Sequence, residues 1–139
     1  MRLAQHRFKI ATKGQGLYEI TERVTRWVAA TGLSDGLLTL FLPHSSASLL
    51  IQENAAPEVR ADLADFLARL VPELPGRYRH EEEGPDDMPA HIRAALLPTH
   101  LAIPLDSGRL ALGTWQGVFL VEHRSAPHQR MVVLHLQGE

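Results

Sequence analysis

The 139-residue sequence predicts a single α+β domain, a mixed, curved β-sheet with about three helices. Three observations point there: strand patterns at both ends, helical patterns between them, and no linker, repeat or low-complexity stretch to divide the chain. A chain of this length buries about two thirds of the surface its unfolded form exposes, enough for one real core.

The elements follow in order. Arg7 to Thr12 reads as a strand, which Gly14 and Gly16 break before a helical pattern begins. Ile20, Val24, Trp27 and Val28 fall at i, i+4, i+7 and i+8, one face of a helix that Gly32 ends. Leu37 to Leu42 is a short apolar run between Ser34-Asp35-Gly36 and Pro43, which favours a buried strand. Ser46 to Gln52 follows as a second strand. Its Ala47, Leu49 and Ile51 face one way and Ser46, Ser48, Leu50 and Gln52 the other, so one face is partly polar.

Pro57 opens a helix with an apolar stripe of Val59, Leu63, Phe66, Leu67 and Leu70, and Pro72 and Pro75 lie beyond its end. The acid-rich Gly76 to Asp87 stretch is a long loop, and ordered loops of this length tend to be functional. We therefore expect Glu81 to Asp87 to be ordered at a site. A short helix over Pro89 to Leu97 has Asp86 and Asp87 at its positive end and Pro98 as its stop. The last third alternates apolar runs with turns at Asp106-Ser107-Gly108 and Gly113 to Gly117, giving strands at Leu101 to Leu105, Leu110 to Leu112, Val118 to Arg124 and Met131 to Gln137. That is an antiparallel pattern.

Composition removes several function classes. A hydrophobic fraction of 45% with 22% charged residues is ordinary for a globular protein. The net charge of -2 and the scattered arginines argue against nucleic acid or an anionic membrane as partner. No eighteen apolar residues run together and no signal-peptide stretch opens the chain, so the cytoplasm is the default location. Cysteine is absent, which leaves His, Asp and Glu to hold any metal.

Eight histidines are the conspicuous chemistry-bearing residues. His6, His100 and His128 lie near the terminus or among turn residues and read as solvated, while His135 in an apolar strand reads as core or interface. His44 sits in Pro43-His44-Ser45-Ser46-Ala47-Ser48, a cluster able to present hydroxyls and an imidazole to an anion. His80 and His91 bracket the acidic loop, and His123 alternates with Phe119 and Val121, with Glu122 and Arg124 on the opposite face. No H-E-x-x-H motif occurs, so spacing leaves open a plain hydrogen-bonding role for all of them. The sharper reading has three converge on a divalent metal such as zinc, with Glu122 or Asp87 orienting the rings.

Several longer motifs occur in order: His44-Ser45-Ser46-Ala47-Ser48, Gln52-Glu53-Asn54, Glu83-Gly84-Pro85-Asp86-Asp87-Met88-Pro89-Ala90-His91-Ile92, Leu112-Gly113-Thr114-Trp115-Gln116-Gly117 and Glu122-His123-Arg124. Together they resemble the YjbQ-like family of small trimeric α+β proteins, described as secondary thiamine-phosphate synthases. Ser45 stands where Thr is usual and Ala56 where Asp is usual.

The resemblance implies a homotrimer and a pocket for a small phosphorylated molecule. The reaction it implies joins a hydroxymethylpyrimidine diphosphate to a thiazole phosphate. On that reading Ser46, Ser48, Asn54, Trp115, Gln116 and Arg124 bind substrate, and Glu53, Asp87 and Glu122 are the catalytic carboxylates. His44, His91 and His123 would hold zinc or magnesium, with His80 as substitute. Such a diphosphate site normally gathers several Arg or Lys residues, of which the motifs offer Arg124, and no glycine-rich phosphate loop occurs. A metal-dependent hydrolase or lyase, with Glu53 or Glu122 moving protons, and a noncatalytic small-anion binding module are the alternatives.

Overall fold

A computed structural model describes residues 1–139. The elements are β1 (Arg2–Thr12), β2 (Gly16–Glu19), α1 (Thr21–Thr31), β3 (Gly36–Phe41), β4 (Ala47–Glu53), α2 (Pro57–Leu70), α3 (Asp87–Leu96), β5 (His100–Asp106), β6 (Arg109–Leu110), β7 (Gln116–Glu122) and β8 (His128–Gly138). They form a five-stranded sheet, β1-β8-β3-β5-β6, and a three-stranded sheet, β2-β7-β4.

The α+β class and the three helices are as expected, but the sheet is not mixed, because every strand pair is antiparallel. The reason lies in the connections. A parallel pair needs a crossover that returns to its own sheet, and here α1 leads from the smaller sheet to the larger, as does the α2–α3 segment. Leu42 N–H to Thr99 O (2.8 Å) carries the β3–β5 ladder one step further, and Leu49 N–H to Pro98 O (2.9 Å) ties the smaller sheet to the chain entering β5, joining the two sheets into one curled layer.

The core fills the inside of that curl. Leu38 and Leu40 of β3, Leu134 and Leu136 of β8, Leu49 of β4, and Val118 and Leu120 of β7 are buried together with Val24 and Val28 of α1. The sequence pattern of α1 thus faces the core, and Gly32 closes the helix in a left-handed conformation (φ 73°) that glycine adopts without strain.

The stripe of α2 behaves differently. None of its residues is buried within the chain, and Phe66 and Leu70 are each 52% exposed. Its end is fixed by buried Arg93 of α3, whose guanidinium donates to Val71 O (2.7 Å) and Leu67 O (3.3 Å) and so satisfies carbonyls the helix leaves free. No helix is long and apolar enough to cross a membrane.

Candidate metal centre

The first turn of α3 places Asp87 and His91 one above the other, since residues four apart share a helix face. The loop before it folds back over that face. Gly84 (φ 105°) turns the chain there, with its N–H donating to Glu81 O (3.3 Å), and this brings His80 and Glu83 to the same place. One ligand atom from each of His80, Glu83, Asp87 and His91 lies within 4.8 Å of all the others. Residues of the acidic loop thus meet the first turn of α3 in one cluster.

Asp87 is the hub, with its side chain only 2% exposed. Its Oδ1 accepts from Arg124 Nη1 (2.8 Å), and its Oδ2 faces His80 Nε2 (2.8 Å) and His91 Nε2 (3.1 Å). Arg124 completes a clamp, donating from Nε to Asp86 Oδ2 (2.9 Å) and from Nη2 to Glu83 O (3.0 Å). Asp86 Oδ2 also accepts the Ser125 N–H (2.9 Å), which ties the loop to the end of β7.

Charge and burial oppose each other here. Burial pushes the Asp87 carboxyl up, but the His80 hydrogen bond and the His91 and Arg124 charges outweigh it and hold it below the usual carboxylate range. Asp86 follows the same logic, burial being overcome by Arg124 and the Ser125 amide. His80 is raised by its hydrogen bonds to Asp87 and Glu83.

The tautomer of His91 is set by geometry. Its Nδ1 lies 2.9 Å from Ser45 O, and a carbonyl can only accept, so Nδ1 carries the hydrogen. In the neutral ring Nε2 is then a lone pair aimed at carboxylate Oδ2. Either a proton on Nε2, donated to Oδ2 as in a charged pair, or a metal ion between the two satisfies both atoms, and the second is the arrangement that carbonyl-oriented imidazoles adopt as metal ligands. Two imidazoles with two carboxylates suit zinc and similar first-row divalent ions, whereas magnesium prefers all-oxygen surroundings.

The three imidazoles expected to share a metal are not brought together within the chain; only His91 belongs to the cluster, and His80 stands in it. His44 Nε2 accepts the Met131 N–H (2.8 Å) and is thereby occupied. His123 is 2% exposed and hydrogen-bonds the Ser48 hydroxyl through Nε2 (2.9 Å). Burial and then the Arg93 charge lower its pKa to about 4, so it is a neutral interior residue.

Glu122 is also enclosed. Its carboxylate accepts from the Thr12 hydroxyl (2.7 Å), Arg130 Nε (2.8 Å) and the Arg124 N–H (3.1 Å). Burial raises it, and these bonds, Arg130 first, bring it below its usual value. Ser46 serves the same network, its hydroxyl accepting from Arg130 Nη2 (2.9 Å).

Glu53, Asn54, Trp115 and Gln116 lie elsewhere. In the β4–β7 ladder Glu53 pairs with Gln116 at one end and Ala47 with Glu122 at the other, six steps or roughly 20 Å apart. Glu53 Oε2 accepts the Ala56 N–H (3.2 Å), Asn54 Nδ2 donates to Glu19 Oε2 (2.9 Å), Gln116 Oε1 accepts the Gly113 N–H (2.8 Å), and Trp115 is 64% exposed. Glu83 of this cluster and Arg130 of the buried network are residues that the sequence reading left unassigned. The intervals of three, four and four from His80 through Glu83 and Asp87 to His91 carried the signal for the first.

The fold and this cluster define a small antiparallel α+β protein with a histidine–carboxylate centre. The chain belongs to the UPF0047 protein YjbQ-like family, whose model matches residues 6–139. It is similar to the UPF0047 protein sll1880 of Synechocystis, at 57% identity over 94% of this chain and 88% of that one. It is also similar to the UPF0047 protein YjbQ of Escherichia coli O157:H7, at 41% identity over 97% and 98%. Among solved structures, an uncharacterized conserved protein of the YjbQ/UPF0047 family from Clostridium acetobutylicum superposes with a TM-score of 0.87 at 33% identity, covering 95% of this chain and 99% of that one. A hypothetical protein from Aeropyrum pernix K1 does so with a TM-score of 0.89 at 28% identity, covering 98% and 99%. The names of these relatives state no activity, so function has to be argued from the site.

Proposed function

We propose that His80, Asp87 and His91 bind one divalent cation with Glu83 beside it, zinc being the best fit, and that the chain is a metal-dependent hydrolase or lyase. The observation that carries this is the His91 ring, held by the Ser45 carbonyl so that its other nitrogen meets Asp87 Oδ2 at 3.1 Å, on the oxygen that also faces His80 Nε2 at 2.8 Å. Bound there, a cation supplies an activated water and polarises a substrate oxygen. The protein supplies the rest. Arg124 holds Asp87 Oδ1 so that Oδ2 stays on the cluster, and the Ser45 carbonyl fixes the His91 tautomer. Glu83, 62% exposed and 3.2 Å from His80, is the carboxylate placed to take a proton from solvent or substrate.

The synthase reading ranks second because its phosphate donors are already engaged. Arg124 bonds Asp86, Asp87 and Glu83, while Ser46 and Ser48 are buried against Arg130 and His123. A small phosphorylated partner would have to rely on the cation instead. We further propose a homotrimer, on the support of the half-exposed Phe66 and Leu70 of α2 and of the eleven-residue β1, an outer strand of its sheet.

Elemental analysis of untagged protein tests the metal. About one zinc per chain is expected, falling severalfold in His80→Ala and His91→Ala. Metal-free protein under zinc-replete growth, or unchanged content in both variants, would defeat the proposal.

A further inference from the structure

The centre shares a wall with a cleft. His80, whose Nε2 faces Asp87, also lines a cavity of ≈190 Å³ together with Leu74, Pro75, Tyr78, Glu81 and Met88. A dry cavity of about 150 Å³ is enough to hold benzene, so this one has room for a single ring.

Its chemistry is one-sided. Leu74, Pro75 and Met88 offer apolar surface, and Tyr78 presents its ring because its hydroxyl already donates to Pro72 O (3.0 Å). Leu74 is left 43% exposed, an apolar wall that gains from a covering group. The single carboxylate in the lining is Glu81, and no arginine or lysine lines the cleft. A phosphate or carboxylate placed there would meet the like charge of Glu81, with His80 the only basic side chain in the lining. Glu81 Oε1 accepts the Gly76 N–H (2.9 Å), which braces the loop that forms this wall.

We infer that the substrate of the metal centre is a small molecule with a flat apolar ring, uncharged or cationic at that end. The ring sits against Leu74, Tyr78 and Met88 while the reacting polar end reaches past His80 to the cation. This rests on the metal reading above and narrows its substrate class.

The test uses the zinc-loaded full chain and three probes with one zinc-binding head, titrated calorimetrically: acetohydroxamate, benzohydroxamate and 4-carboxybenzohydroxamate. Benzohydroxamate should bind about tenfold tighter than acetohydroxamate, and the 4-carboxy probe should lose most of that gain. Leu74→Ser, at an exposed loop position, should abolish the ring preference with zinc content and acetohydroxamate affinity unchanged. Equal affinities for the first two probes, tighter binding of the 4-carboxy probe, or a preference that survives Leu74→Ser would overturn the cleft assignment alone. A chain that takes up no zinc would overturn the metal reading as well.

Discussion

Asp87 divides its two oxygens between Arg124 and the histidines. Arg124 is therefore a positioning residue, and its loss should act on the metal rather than on substrate. Arg124→Ala should lower zinc affinity about 10–100-fold, read by competition with a chromophoric chelator. Arg124→Lys should rescue it poorly, because an ammonium cannot span Asp86, Asp87 and Glu83 as the planar fork does. Glu122 and Arg130 make the opposite case. Glu122→Gln leaves Arg130 buried without its counter-charge and should cost about 3 kcal/mol in denaturant unfolding, with zinc content unchanged. His123 gives a pH signature. Its folded pKa of about 4 lies below the ordinary 6.5, so the fold favours the neutral ring. Its contribution is complete above pH 6.5 and is lost as pH falls toward 4, by about 3 kcal/mol at the limit. Glu122, also lowered, adds its own loss below its ordinary 4.5. Metal-free protein unfolded at pH 7 and pH 5 should show the first loss, and His123→Gln should flatten it.

At the scale of elements, the site depends on how one loop meets one helix. The Gly84 turn has a φ of 105° and a Cβ there would stand 3.2 Å from Asp86 Oδ1, so Gly84→Ala should strain the turn and displace Glu83. The expected outcome is weaker zinc binding with about 1 kcal/mol of lost stability, measured on the same sample by chelator competition and urea unfolding. Sequence made some of this legible. Val24 and Val28 marked the buried face of α1, and the acids beside Asp87 marked the start of α3. β2 escaped notice because only four residues follow Gly16 before α1, too few to show alternation. The stripe on α2 was visible, but hydrophobic periodicity cannot say whether a face meets its own core or stays half exposed. For His44 and His123 the limit was tertiary. The Met131 amide and the Ser48 hydroxyl that engage their Nε2 atoms lie 87 and 75 residues away in sequence.

The whole molecule is two antiparallel sheets curled around one core, with its polar residues in separate places. The buried Glu122–Arg130–Thr12–Ser46 network holds β1, β7, β8 and the start of β4 together, while the metal cluster lies outside it on α3 and its loop. Glu53, Asn54, Trp115 and Gln116 form a third group at the far end of β4 and β7. The homotrimer proposal predicts three chains per particle by light scattering at low micromolar concentration, unaltered in His80→Ala; a monomer there would refute it. The metal centre is read most directly by the anomalous signal at the zinc edge from crystals of untagged protein. One peak per chain is expected about 2.0–2.2 Å from His80 Nε2, His91 Nε2 and Asp87 Oδ2, with Glu83 beside it. A peak between His44 and His123 instead, or none at the four residues in zinc-soaked crystals, would contradict it.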